Sequence, residues 1–128
     1  MDDQLERNKS NVVAFYHLMF NQNHPAEAIE RFAGDGYRQH NPHVEDGKAG
    51  FIAYFERMAL EYPGKRVTFK RTLAEGTFVV LHCHQVWPQD LEYAGIDIFR
   101  LDENGKIVEH WDVLQAMPTS SMHENGMF

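Results

Sequence analysis

Residues 95–114, GIDIFRLDENGKIVEHWDVL, decide the fold of this chain because they combine two strand-like runs with a turn signal. Apolar residues alternate with polar ones on both sides of Asn104-Gly105, and Asn-Gly favours a two-residue hairpin turn. Such a turn pairs Asp97 with Asp112 across the two strands. A three-residue turn with a glycine bulge would instead change which side chains share a face. The segment therefore predicts a β-hairpin with two possible registers.

The chain before this hairpin shows the same strand-like pattern in two further places. Val67 to Leu73 place apolar side chains among charged ones, and Phe78 to Trp87 are rich in β-branched and aromatic residues. Together with Ile96 to Leu101 and Ile107 to Leu114, they predict four strands in an antiparallel meander.

Helical periodicity dominates the first half of the chain. One apolar face runs through a helix predicted from about Gln4 to Asn21. A second helix is predicted to begin at Pro25 and to end before Gly34. Asp46 is placed to cap a third helix, which Pro63-Gly64 ends. Three helices are thus expected ahead of the four strands.

The order of these elements favours an α+β domain, because helices grouped ahead of antiparallel strands pack together on one face of the sheet. We expect residues 1–128 to form a single cone, in which helices cover the concave face of a curved sheet and enclose a pocket. Residues 36–43 are predicted to be a brief extended segment. An irregular tail is expected from about residue 117, with Phe128 more suited to fraying than to covering the pocket.

Composition excludes several classes of protein. Hydrophobic residues make up 43% of the chain and charged residues 24%, which is typical of globular domains. A formal net charge of −7 makes nucleic acid an unexpected partner. The single cysteine, Cys83, excludes an internal disulfide, and neither a signal peptide nor a membrane span is visible. A soluble cytoplasmic protein with no membrane partner is expected.

Acidic and histidine residues of the hairpin are the first candidates for chemistry. With the two-residue turn, Asp97, His110 and Asp112 share one face. Two carboxylates beside an imidazole can hold a proton at intermediate pH. Asp112 has a simpler interpretation as an acceptor of structural hydrogen bonds. Because it follows the bulky Trp111, we favour a functional role.

Further histidines belong to other segments. His82 and His84 share one face of a strand, and that face is either pocket or interface while the opposite face is core. Both could form structural hydrogen bonds, or together ligate a metal in a metal-dependent enzyme. His40 and His43 flank Asn41-Pro42, and we expect His40 to be the one that points into the pocket.

Three segments resemble the SnoaL-like polyketide cyclase and aldol-condensation family of the nuclear transport factor two-like superfamily. They are residues 37–43, residues 95–100 and residues 104–112, of which Gly105-Lys106-Ile107-Val108-Glu109-His110-Trp111-Asp112 is the most specific. The resemblance implies a cone-shaped domain, a homodimer through the sheet and no cofactor. It places the general base at Asp112, with Asp97 and His110 as neighbours and with His40 and His84 as pocket histidines by analogy.

The resulting functional hypothesis is a cofactor-independent lyase or isomerase. Asp112 or Asp97 would remove a proton next to a carbonyl group of a small hydrophobic or aromatic compound, and a histidine would donate to the enolate oxygen. Two alternatives stay open: a non-catalytic module that binds a small ligand, and a metal-dependent enzyme that uses His82 and His84.

Overall fold

The helices lie where periodicity predicts them. The computed structural model describes residues 2–128, with α1 at Asp2–Tyr16, α2 at Pro25–Phe32 and α3 at Gly47–Glu61. A π-helical turn, His17–Asn21, continues α1, so the predicted first helix reaches its expected end in a wider winding.

The start of α3 differs from the expectation in one respect. Asp46 occupies the N-cap position, but its side chain makes no capping hydrogen bond. Its Oδ1 instead accepts a hydrogen bond from the backbone N–H of Gln39, at 2.8 Å. The residue thus ties the end of the preceding strand to α3.

The sheet has five strands. They are β1 Ala33–Gln39, β2 Arg66–Glu75, β3 Phe78–Val86, β4 Glu92–Leu101 and β5 Ile107–Ala116. Their order across the curved, unclosed sheet is β1-β5-β4-β3-β2, and β1 runs parallel to β5 while the other pairs are antiparallel. The four predicted strands are confirmed, and the brief extended segment is a fifth strand that begins earlier, at Ala33. The α+β class is therefore confirmed.

The β4–β5 connection reaches the predicted register by an unexpected route. The backbone N–H of Asp102 bonds to the carbonyl of Lys106, so three residues form the loop, and Gly105 has the positive φ of 77° that such a loop requires. The register then shifts by one residue between Leu101 and Arg100. Because the two irregularities cancel, Asp97 lies opposite Asp112 as the two-residue turn would have placed it.

The hydrophobic core lies between the helices and the concave face of the sheet. Phe15 packs against Phe51 and Phe99, with ring centroids 5.4 and 6.2 Å apart. Strand residues that point to this side are buried, as Val79, Leu81 and Cys83 show. The concave face is therefore the one that the odd-numbered residues of β3 occupy.

The convex face of the sheet carries the tail and a group of exposed apolar side chains. Residues 117–128 contain neither helix nor strand. The ring of Phe128 lies 4.9 Å from the ring of His84 and 5.4 Å from that of His82. The expectation that Phe128 frays is wrong, because it packs on the outside of the sheet. No helix among residues 2–128 combines the length and apolar content needed to cross a membrane.

Candidate functional site

Two adjacent spaces lie at the concave side of the sheet. The inner cavity has a volume of about 30 Å³ and reaches Asp97, His110 and Asp112. An outer cleft of about 680 Å³ adjoins it and shares five lining residues with it: Asn41, Tyr54, Trp87, Asp112 and Leu114. A cavity of the inner size holds one or two water-sized groups. Only a small polar part of a ligand therefore fits inside, while its body has room in the cleft.

Three side chains form an acid cluster at the inner end of the site. β4 supplies Asp97, and β5 supplies His110 and Asp112 on the same face. His110 Nε2 lies 2.8 Å from Asp97 Oδ1 and 4.0 Å from Asp112 Oδ2. Asp97 is fully buried. The predicted grouping of these residues on one face is confirmed, and their catalytic role stays a prediction.

The contact with Gln39 requires a proton on Nδ1 of His110. The side-chain oxygen of Gln39 accepts the backbone N–H groups of His40 and Asn41, each at 3.1 Å, which fixes the orientation of the amide. The same oxygen lies 2.8 Å from His110 Nδ1, so Nδ1 must be the donor. A single proton then bridges His110 Nε2 and Asp97 Oδ1.

Asp112 lies where the inner cavity meets the outer cleft. Asn41 Nδ2 donates to both carboxylate oxygens, at 2.9 and 3.1 Å, and so fixes the orientation of the carboxylate. Burial raises the pKa of Asp112, and the nearby Asp97 adds to the increase, while His110 and the Asn41 hydrogen bonds oppose it. The result is a carboxylate more basic than an ordinary aspartate.

The same cluster contains the atoms best placed to hold a metal ion. One ligand atom from each of Asp97, His110 and Asp112 lies within 4.8 Å of the others. A donated Nδ1–H, as from His110 to Gln39, also orients metal-binding histidines. His82 and His84 do not fit the metal alternative, because His82 Nδ1 contacts the Arg71 guanidinium.

Two predicted pocket histidines lie elsewhere. His84 projects from the convex face, where its Nε2 contacts Glu92 Oε1 at 2.6 Å. His40 stacks on Trp111, with parallel rings 4.8 Å apart, and its Nε2 contacts Glu109 Oε2 at 2.7 Å. Neither residue lines the inner cavity or the outer cleft. The prediction that His40 and His84 face the pocket is therefore wrong.

The residues that replace them come from the end of β1 and the loop after it. His43, rather than His40, lines the outer cleft. Asn41 holds Asp112, and Gln39 holds His110. Tyr37, Gln39 and Asn41 follow each other at a spacing of two residues and all line the inner cavity. That alternation is the sequence signal that could have identified them.

Comparison with known proteins agrees with the fold. TsrD from Streptomyces laurentii is 21% identical, with a TM-score of 0.70 over 84% of this chain and 87% of TsrD. A candidate polyketide cyclase from Acidithiobacillus ferrooxidans is 17% identical, with a TM-score of 0.72 and the same coverage of 84% and 87%. An LEH-like epoxide hydrolase from M. tuberculosis is 18% identical, with a TM-score of 0.70 over 87% of this chain and 84% of that one. At these identities the likeness shows a shared fold.

The family assignment comes from a sequence profile. No curated protein matches the chain. The profile of the SnoaL-like domain matches residues 12–110, which include the end of α1, all of α2 and α3, the first four strands and His110. That match covers most of the chain and includes two members of the acid cluster. The chain therefore belongs to the SnoaL-like domain family.

Proposed function

We propose that this protein is a cofactor-independent lyase or isomerase that removes a proton next to a carbonyl group. Its substrate is a small hydrophobic or aromatic carbonyl compound whose body lies in the outer cleft. The observation that carries the proposal is the position of Asp112, a largely buried carboxylate with a raised pKa at the junction of cavity and cleft. The candidate cyclase and the epoxide hydrolase among the structural neighbours support acid–base chemistry on this fold.

Asp112 is the general base in this proposal. Both of its oxygens accept hydrogen bonds from Asn41, so the carboxylate approaches a substrate in a fixed orientation. Its raised pKa makes it a stronger acceptor for a carbon-bound proton. Proton transfer to a positioned group contributes about 10²- to 10⁴-fold to a rate.

His110 and Asp97 support Asp112 and do not act on the substrate directly. Both nitrogens of His110 are engaged, with Gln39 and with Asp97, so no N–H is left to reach an enolate oxygen. The imidazole nevertheless lies 4.0 Å from Asp112, where positive charge stabilises the carboxylate form. In our proposal His110 therefore keeps Asp112 ionised. It does not donate a hydrogen bond to the enolate oxygen, in contrast to the expectation from the sequence.

The convex face of the sheet supports a second part of the proposal, a homodimer that forms through the sheet. An apolar groove of about 690 Å³ on this face is lined by residues that include Phe78, Ile98 and Trp111. Ile96 and Val113 are also exposed there. Native mass spectrometry tests the dimer, and Ile98→Arg should give a monomer if the proposal is right. A cytoplasmic location stays a prediction.

Isotope exchange tests the chemistry without knowledge of the natural substrate. 1-Indanone and 2-tetralone are incubated with protein in D₂O, and loss of the α-proton signal is followed by NMR. Wild-type protein and the surface control Asp35→Asn should accelerate exchange, whereas Asp112→Asn should reduce it by about 10²-fold or more. Unchanged exchange in Asp112→Asn would exclude Asp112 as the base. Tight ketone binding without exchange in the wild type would favour the non-catalytic binding module.

A further inference from the structure

Two buried tyrosines line the inner cavity, and each has its hydroxyl oxygen occupied by an amide donor. For Tyr16 the donor is Gln85 Nε2, at 2.6 Å. The orientation of that amide is fixed because Gln85 Oε1 accepts the indole N–H of Trp87 at 2.8 Å, and an indole N–H can only donate. The oxygen of Tyr16 is therefore an acceptor in this contact.

Tyr37, which lines the same cavity, has an equivalent arrangement. Gln39 Nε2 donates to its hydroxyl oxygen at 3.0 Å. This amide is also fixed, because Gln39 Oε1 accepts two backbone N–H groups and the Nδ1–H of His110. Both tyrosines thus use the oxygen as acceptor and keep their own proton for another partner.

No residue within 2–128 accepts the hydroxyl proton of Tyr16 or Tyr37, since each hydroxyl has a hydrogen bond only to its glutamine. The side chains are nonetheless buried, with 3% and 6% of their surface exposed. Burial raises the pKa of both hydroxyls, so they remain protonated donors at neutral pH. Buried donors normally have an acceptor, and the space they line is the cavity of about 30 Å³.

We propose that the hydroxyl groups of Tyr16 and Tyr37 form an oxyanion subsite that binds the carbonyl oxygen of the substrate. The cavity admits a group of this size, and because both nitrogens of His110 are engaged, the donors that we assign to it are the buried hydroxyls of Tyr16 and Tyr37. The inference rests on the proposed function for the reaction that it serves. Recognition of a carbonyl or phenolic oxygen does not depend on turnover.

The subsite completes the proton transfer. Asp112 takes the proton from the carbon next to the carbonyl, and the electron pair of the broken C–H bond moves through the carbon–carbon bond to the oxygen. The resulting enolate oxygen accepts stronger hydrogen bonds from Tyr16 and Tyr37 than the neutral carbonyl did. Return of the proton from Asp112 to carbon regenerates the carbonyl, so no oxidant or further reactant is needed. The ligand class is neutral ketones and aldehydes, together with phenols, whose oxygen resembles that of an enolate.

The binding of phenol, 4-nitrophenol and toluene tests the subsite, measured by quenching of tryptophan fluorescence in Asp112→Asn, which lacks the charge that would repel a phenolate. We expect 4-nitrophenol to bind more tightly than phenol, because more of it is phenolate at neutral pH, and Tyr16→Phe and Tyr37→Phe, each added to Asp112→Asn, to weaken its binding by about tenfold or more. The matched control is Tyr62→Phe in the same background, whose exposed hydroxyl contacts Asp90, and it should bind 4-nitrophenol like Asp112→Asn itself. Toluene affinity should not change in any variant. Unchanged 4-nitrophenol affinity in both cavity variants, or an equal loss for toluene, would overturn the inference.

A second measurement does not depend on the fold of the tyrosine variants. The carbonyl stretch of bound ¹³C-labelled 1-indanone is recorded in Asp112→Asn, which keeps both hydroxyl donors. We expect a shift to lower frequency than in water, and an unshifted band would overturn the subsite. Failure of the proposed function is distinguishable from failure of the subsite. It would appear as isotope exchange that persists in Asp112→Asn, independently of the measured affinities for phenols.

Discussion

Replacing Asp112 by asparagine should raise the stability of the protein at neutral pH while it removes activity. Burial and Asp97 raise the pKa of Asp112, so its ionised form costs the folded state free energy relative to the unfolded chain. An asparagine keeps an oxygen that accepts from Asn41 and carries no charge. Attraction to a protonated His110 at 4.0 Å, about 4 kcal/mol at an effective dielectric constant of 20, offsets only part of the penalty.

The net gain should be on the order of 1 kcal/mol, the usual size of a single-residue effect on stability. A gain of that size raises the Tm of a chain of this length by about 3–5 °C. A carboxyl whose pKa is raised by folding loses its stabilising contribution as pH rises through the folded-state pKa. The variant should therefore exceed the wild type in stability at pH 7, and the difference should shrink as the pH falls and Asp112 becomes protonated.

Differential scanning calorimetry at pH 7 and pH 4 measures the gain in Tm and its dependence on pH, with Asp35→Asn as the control for removal of an exposed charge. Asp35→Asn should leave the Tm nearly unchanged at both values. A lower Tm for Asp112→Asn at pH 7, or the same gain at both values, would refute the reasoning. The first result would mean that the ion pair with His110 outweighs burial, and the second that charge is not the cause.

Three further predictions concern residues around the site. His40→Ala should lower the free energy of unfolding by about 1–2 kcal/mol, because the stack on Trp111 and the contact with Glu109 are lost. Denaturant titration measures this loss. Isotope exchange per folded molecule should not change, and a drop in exchange would contradict the position of His40 outside the site. His84→Ala should alter exchange by less than about twofold, because proton transfer involves groups within hydrogen-bond reach and this histidine lies on the other side of the sheet. Asn41→Leu should move the acidic limb of the pH–rate profile to higher pH, because the hydrogen bonds from the Asn41 amide stabilise the ionised form of Asp112. An acidic limb at the wild-type pH would argue against that contact.

Much of the fold was predictable because side-chain periodicity reports directly on secondary structure. The change of period from helix to strand located three helices and four strands close to their observed limits. The fifth strand was harder to recognise, since Gly34 and Gly36 interrupt its apolar pattern and its hydrogen-bond partner, β5, is far along the chain. The register at Asp97 was correct although the turn was wrong, because a shift near Arg100 cancels the longer loop.

The candidate site was predictable only in part, for a geometric reason. Alternation along a strand shows which residues share a face, so Asp97, His110 and Asp112 were grouped correctly. It does not show which face the helices cover when both faces carry apolar residues, as they do in β3. Alternation therefore leaves the face of His84 open, and the family resemblance that implies a pocket position is wrong, because His84 lies on the convex face. Asn41 is hard to recognise from the sequence, because Asn before proline is typical of a strand end and gives no sign that its amide donates hydrogen bonds to Asp112.

Protons and charges at the inner end of the site restrict the substrate. A single proton bridges Asp97 and His110, so an ionised Asp112 leaves the cluster with one net negative charge. A substrate carboxylate placed about 4 Å from Asp112 would meet a repulsion of about 4 kcal/mol at an effective dielectric constant of 20. A neutral carbonyl oxygen meets two hydroxyl donors instead, and these become more favourable as negative charge moves from Asp112 to the enolate oxygen. The arrangement that makes Asp112 basic therefore also selects an uncharged carbonyl group at the reacting end of the substrate.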